Sequence, residues 1–242
     1  MNHFLDIDGV LIPIRIIVER RNGVRVALAS KHVILRIPKG LFNNNVDKHI
    51  EWAKTWLRQL KVNKPHVLDK YLSKKQYQDG GTFEIGDHKF TLNIVKIDRE
   101  TGYIKLTNKE NIYIEIPATK VYDEQKLISK LLIKFAQKFF LPAIQKKVLF
   151  YNEKYFKKPI NDIKLKYNKS NWGSCSTGQN LNFSVRLFFA PDQAIDYVVI
   201  HELAHLIEMN HSDRFWQIVS DIMPDYKEME KILKDNSAKY DF

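Results

Sequence analysis

Three of the chain's eight histidines, His201, His205 and His211, fall within eleven residues. Residues four apart stand one helical turn apart on the same face, so the imidazoles of His201 and His205 can aim at one point. Glu202 is one step round the helix, close enough to reach a water on a metal held there without being a ligand. That is why H-E-x-x-H suits a zinc hydrolase. The metal lowers the pKa of the water, and the carboxylate takes its proton and later passes it to the leaving group. A catalytic zinc usually has three protein ligands plus an open position. His211 is the candidate for the third, but on an unbroken helix it would lie about 240° from His205. The chain must therefore leave the helix between Glu208 and His211. Asn210 tolerates the left-handed conformation that ends helices, and Ser212 can cap the next one. The expected centre is Zn2+ on His201, His205 and His211, with Glu202 as the catalytic base.

The flanking residues support a buried helix. "AIDYVV" before the motif and "LAHLI" within it are apolar, and three buried imidazoles without a metal would be hard to satisfy. Asp196, Glu208 and Asp213 are candidates to accept the second N–H of a ligating ring. Phe215 and Trp216 are expected to form core beneath the turn, and Cys175 to be a small buried residue. Asn182, Arg186 and Tyr197 are near enough in sequence to be oxyanion candidates.

The elements that must hold this centre follow from hydrophobic spacing and turn residues. "VLIPIRIIVER", "VRVALA" and "VILRIP" read as strands, with Pro13 marking an edge or a bulge in the first. "VDKHIEWAKTWLRQLK" has near-helical apolar spacing behind a run of asparagines. "GTFEIG", "KFTLNIVKI", "YIKLT" and "IYIEIP" read as further strands. After Pro117 the texture changes: "DEQKLISKLLIKFAQKFF" is helical, and Pro142 is expected to kink or end it. "DIKLKY" and "NLNFSVRLFFA" read as strands flanking the loop "NWGSCSTGQ". From Pro191 onward the chain is helical, in pieces 191–208, 212–223 and a last one from Asp225. No internal repeat is evident. The expected fold is α+β: a β-rich N-terminal region with one helix over 1–121, then a metallohydrolase domain over 122–242.

The totals narrow the function classes. The longest apolar runs are far too short to cross a bilayer, and the N-terminus lacks the basic region of a signal peptide. A single cysteine excludes an internal disulfide framework and favours the cytoplasm. Of the formal net charge of +11, most sits between Lys126 and Lys169, where twelve lysines face two acids. Lys126, Lys130, Lys134 and Lys138 recur every fourth residue, as a solvated helix face would, or as a landing surface for polyanions.

Beyond the histidines, "NWGSCSTGQNLNFSVRLFFAPDQAIDYVVIHELAHLIEMNHSDRFW" resembles the YgjP-like metallopeptidase domain, related to the SprT-like and WLM zincins. The shared elements are Trp172-Gly173-Ser174-Cys175, Leu181-Asn182, Pro191, Asp196-Tyr197-Val198-Val199, His201 to His205, and Asn210-His211-Ser212 with Phe215-Trp216. The front is similar too, in "IPKG", the Trp-bearing helix and "GTFEIGDHKFTLNI". The resemblance implies a zincin-like fold, zinc on His201, His205 and His211, and Glu202 as general base. Where the family usually has a basic residue before Trp-Gly-Ser-Cys, this chain has Asn171. Metzincins want Gly where this chain has Glu208, which argues against that class.

The leading expectation is an intracellular zinc metallopeptidase acting on peptides or proteins. In zincins an extended substrate lies along an edge strand above the active-site helix, and "NLNFSVRLFFA" is the expected strand. The first alternative is metal-dependent hydrolysis of a nucleotide phosphoanhydride, with the lysine-rich segment holding the phosphates. The second is a SprT-like protease associated with nucleic acid through the same segment. No membrane partner is expected.

Overall fold

The computed structural model describes residues 3–7, 10–29, 32–40, 42–64, 75–119 and 123–242. It is α+β, and two compact units divide between Lys75 and Gln76. The boundary expected near residue 121 falls at 120–122, outside the described residues.

The front unit holds strands β1 (His3–Ile7), β2 (Val10–Glu19), β3 (Arg25–Leu28) and β4 (Val33–Pro38), followed by helix α1 (Phe42–Asn63). The sheet order is β1-β2-β4-β3, with β2 antiparallel to β1 and parallel to β4. Pairing to β1 uses residues 10–14 of β2, and pairing to β4 uses residues 14–19. Pro13, opposite Phe4, therefore lies where β2 has a neighbour on one side only, a place where a missing N–H is tolerated. Alternate residues Leu5, Ile7, Ile12, Ile14, Val33, Leu35 and Ile37 point into a core that Ala53 and Leu57 of α1 close.

The second unit begins with the same design. Strands β5 (Thr82–Ile85), β6 (His88–Ile97), β7 (Tyr103–Asn108) and β8 (Asn111–Pro117) are ordered β5-β6-β8-β7, with β6 parallel to β8, and helix α2 (Glu124–Tyr151) follows. The correspondence extends to single residues. Ile7 and Val10 flank the first hairpin turn as Ile85 and His88 flank the fifth strand's. Lys39 N–H donates to Glu19 O (3.1 Å) as Ala118 N–H donates to Ile97 O (2.8 Å). Buried Leu5, Ile12, Leu35 and Ile37 have counterparts in buried Phe83, Phe90, Ile114 and Ile116. Ala53 and Leu57 on α1 match Leu132 and Ala136 on α2, all fully buried. The two units thus share one four-strand, one-helix topology, a likeness the sequence conceals because most matched positions keep side-chain class rather than identity.

Only the second copy is built upon. Helix α2 continues through Pro142, so the chain does not leave the helix there, and it ends in a π-helical turn at Asn152–Phe156. After it come β9 (Asp162–Lys166), β10 (Gly173–Cys175) and β11 (Asn180–Ser184), forming a sheet ordered β10-β11-β9. The stretch expected as one long strand from Asn180 is a strand only to Ser184; Val185–Phe189 is a 3₁₀ turn. The helices α3 (Asp192–Ala204), α4 (Asp213–Ile222) and α5 (Tyr226–Asn236) complete the unit. The face of α2 bearing Ile128, Leu132, Ala136, Phe140, Ile144 and Val148 is buried in one core with both sheets and α3.

Two polar devices fix the elements after α2. Lys147, on α2, donates to Asp192 (2.8 Å) and Asp196 (2.6 Å), pinning the first turns of α3 to α2. Arg186, 4% exposed, donates to the carbonyls of Asn168, Lys169, Ser237 and Tyr240 and stacks on Trp172. It ties the residues after α5 to the loop before β10, a structural role that removes it from the oxyanion candidates.

Candidate metal centre

The centre is assembled where α3 ends. Its interior is apolar on nearly every side, with Ala194, Val198, Val199, Leu203 and Ala204 buried, so Glu202 and the two histidines are fixed by packing. The helix stops at Ala204, four residues earlier than its periodicity suggests. Leu206 and Ile207 donate to the carbonyls three residues back, Leu203 and Ala204, a tightening that ends the α-helical ladder. Asn210 then acts through its side chain: Oδ1 accepts from Ser212 N–H (3.0 Å). Its backbone is not left-handed, since Lys157 and Gln179 are the described non-glycine residues with positive φ. Ser212 caps α4, its Oγ accepting from Phe215 N–H.

This short return brings His211 back over the helix. The ring nitrogens of His201, His205 and His211 come within 4.8 Å of one another, with His201 Nε2 and His211 Nε2 at 3.1 Å. Two nitrogens on a tetrahedral zinc stand about 3.3 Å apart, so the set fits such an ion after small adjustments. His205 Nδ1 lies 3.1 Å from the carbonyl of Glu208, which fixes the tautomer that donates from Nδ1 and leaves Nε2 free. The partner is thus a backbone carbonyl, not one of the expected carboxylates; Asp196 is held by Lys147. Phe215, fully buried, lies beneath all three rings at 4.5–4.9 Å, and His211 stacks on Trp216. Both aromatics occupy the supporting place expected of them.

Glu202 is 4% exposed, and its Oε2 has no hydrogen-bond partner; His201 Nδ1 is a second such orphan. Burial pushes the Glu202 carboxyl up to about 8. Burial, then the neighbouring His205 and His211, push His201 down to about 3. Burial also lowers His205. The site is built to hold neutral imidazoles and a carboxyl that stays protonated until a cation compensates it. For the metal-free protein the stability consequences have opposite signs. The Glu202 contribution is full below the unfolded value of 4.5 and is lost as pH rises to about 8. The His201 contribution is full above its unfolded 6.5 and is lost as pH falls toward 3. Above pH 6.5 only Glu202 acts, so metal-free protein should lose about 2 kcal/mol between pH 6.5 and 8. Thermal melts of chelated Glu202→Gln should lack this loss; an equal loss in that variant would contradict it.

A cavity of about 780 Å³ opens onto the centre, between Asn171–Cys175 on one side and Glu230, Leu233 and Lys234 of α5 on the other. The segment read as a loop from sequence is here strand β10. Its three residues are too few for any periodicity to show, but the glycine was a signal. A Cβ on Gly173 would sit 2.5 Å from Glu202 Oε1 and 2.6 Å from its Cγ, so β10 lies directly on the glutamate. Cys175 also lines the cavity. Burial, and then Glu202, push its thiol up to about 11, so it stays protonated. Of the oxyanion candidates, only Tyr197 lines the cavity; Asn182 reaches toward Ser174 within the sheet.

Residues 22–236 match the YgjP-like family, described as "YgjP-like, metallopeptidase domain". A comparison with curated proteins finds no match. Among solved structures, the chain is similar to the metallopeptidase zymogen of Pyrococcus abyssi abylysin (20% identity, 38% of this chain and 92% of that one, TM-score 0.35). It is similar also to the metallopeptidase zymogen of Methanocaldococcus jannaschii jannalysin (22% identity, 38% and 94%, TM-score 0.34). With its match spanning most of the sequence, the chain belongs to the YgjP-like metallopeptidase family.

Proposed function

We propose that His201, His205 and His211 hold a catalytic Zn2+ through their Nε2 atoms, and that Glu202 is the general base of peptide-bond hydrolysis. The observation that carries this reading is three convergent imidazoles beside a buried, unpartnered carboxylate. When bound, the metal supplies Lewis acidity, lowering the pKa of a water and polarising the scissile carbonyl. Glu202 Oε2, free of other partners, takes the proton and delivers it to the departing amine. Phe215 keeps water out from below, and the Glu208 carbonyl holds His205 in register.

Substrate pairing is assigned to β10, not to the stretch from Asn180 expected to receive it. Strand β11 lies between β10 and β9, and both its edges are already paired. β10 is the sheet edge beside the cavity. Trp172 O accepts from Ser184 N–H, and Ser176 N–H donates to Asn180 O. By the alternation of an antiparallel ladder, Gly173 and Cys175 turn their own N–H and C=O groups outward, where an extended peptide can bond to them.

The test is a side-by-side assay of zinc-loaded and chelated protein on casein and on nucleoside triphosphates. We expect chelator-sensitive proteolysis and no phosphate release; phosphate release without proteolysis would reverse the reading. None of the described lysines between 126 and 169 lines the cavity, though Lys234 does, which favours the peptidase reading over a phosphate site built from that segment. The single cysteine suits a reducing compartment, the cytoplasm; among the described residues, no helix is long and apolar enough to cross a membrane.

A second reading adds nucleic acid as a partner, as in a SprT-like protease. Exposed Lys126, Lys130, Lys134 and Lys138 run along α2, and exposed Lys164 and Lys166 stand on β9. Gln137 donates to Leu165 O (3.1 Å), which packs the two elements together, and we read their lysines as one basic face, with Lys164 also paired to Asp162. Residues 1–75 are basic too, with fifteen Lys and Arg against six acids, so the face needs mapping. Duplex DNA should bind with a log–log salt slope of about −4 to −5 if five of these lysines meet phosphates. Changing Lys130, Lys134 and Lys138 to Glu should weaken binding at least tenfold by fluorescence anisotropy; unchanged binding would remove this face from consideration.

A further inference from the structure

The outer edge of β10 is not wholly open. Asn171, one residue before Trp172, folds its side chain forward so that Nδ2 donates to the carbonyl of Gly173 at 2.9 Å. A carbonyl oxygen can only accept, so the group meeting it is the amide nitrogen, the same kind of donor that a peptide backbone offers. Asn171 is exposed and lines the cavity, so its side chain is free to leave. Gly173 O is also one of the outward groups to which substrate pairing is assigned above. We propose that Asn171 is a specificity-determining residue of the peptidase centre: its carboxamide occupies the place that a substrate N–H would take at Gly173.

This inference rests on the peptidase reading and deepens it. A peptide that pairs only at Cys175 leaves the Asn171 bond intact. A longer peptide that pairs at Gly173 as well must displace the carboxamide, exchanging one hydrogen bond for another at no net gain. Asn171 therefore favours short contacts along the edge and weakens the advantage of extended ones. A side chain that cannot donate would release the carbonyl. Asn171→Ala removes the group, and Asn171→Asp keeps the shape while replacing the donor with an acceptor.

The experiment measures KM and kcat of the zinc-loaded full chain on internally quenched peptides of increasing length, for the wild type and both variants. On the longest peptides both variants should lower KM about fivefold, the worth of one exchanged hydrogen bond, with the change in KM rather than in kcat. On the shortest they should match the wild type. Equal KM values on all peptides would overturn the inference while leaving the peptidase reading in place. A raised KM would overturn it too, because Asn171 would then be gripping substrate. A wild type that binds zinc and cleaves no peptide would defeat the peptidase reading, and this inference with it.

Discussion

Glu202→Gln should retain one zinc per chain and lose turnover by about 10³-fold, within the range that positioned general bases contribute. The amide keeps the volume of the buried side chain and removes only its capacity to take a proton. His205→Ala should lose both metal and turnover, since it deletes the ring whose Nε2 is left free when Nδ1 faces the Glu208 carbonyl. Elemental analysis beside a proteolysis assay separates the two outcomes. Full zinc occupancy in His205→Ala would contradict the ligand assignment. Substantial turnover by Glu202→Gln would contradict the assignment of the base.

Gly173→Ala should be nearly as damaging, although it adds only one methyl group. The new carbon would fall 2.5–2.8 Å from three atoms of Glu202, closer than non-bonded atoms can stand. Glu202 cannot swing aside into solvent, because it is buried between β10 and the body of α3. Either β10 shifts away from β11 or the carboxylate turns from its working position. Displacements of about 1 Å at a reacting centre lower rates on the order of 100-fold, and forced overpacking costs about 1–3 kcal/mol of stability. The zinc should remain, because no ligand is touched. Gly40→Ala is the control, having nothing within 4 Å of the added carbon. Equal kcat values in the two variants would mean that β10 yields freely and does not position the glutamate.

The centre was legible because its signals are chemical and local. His201, Glu202 and His205 lie on one turn of helix, and Ser212 announces the next helix, so the return of His211 could be read before any coordinates. The strands of both modules were visible in their β-branched runs. What stayed hidden was carried by backbone. The acceptor for His205 is a peptide carbonyl of Glu208, which no side chain signals. Strand β10 exists through its pairing with β11, and a stretch containing Gly173, Ser174 and Cys175 looks like a loop by itself. The end of α3 was misplaced because apolar residues continue past Ala204 through Leu206 and Ile207, where 3₁₀ bonds have already replaced the α-helical ones. The shared topology is not visible in the sequence because Leu5 and Phe83, or Trp56 and Phe135, correspond in burial and position without corresponding in identity.

That shared topology also separates the scaffold from what is particular to the second unit. Counting along the matched copies, the last residue of α1, Asn63, falls opposite Pro142, so the two helices are equivalent only up to that proline. The part of α2 beyond it has no counterpart in α1, and it carries buried Ile144 and Val148 together with Lys147, which binds the helix bearing the histidines. Among the described residues the front unit has no counterpart of that extension, so the packing surface that holds the histidine-bearing helix belongs to the second unit alone.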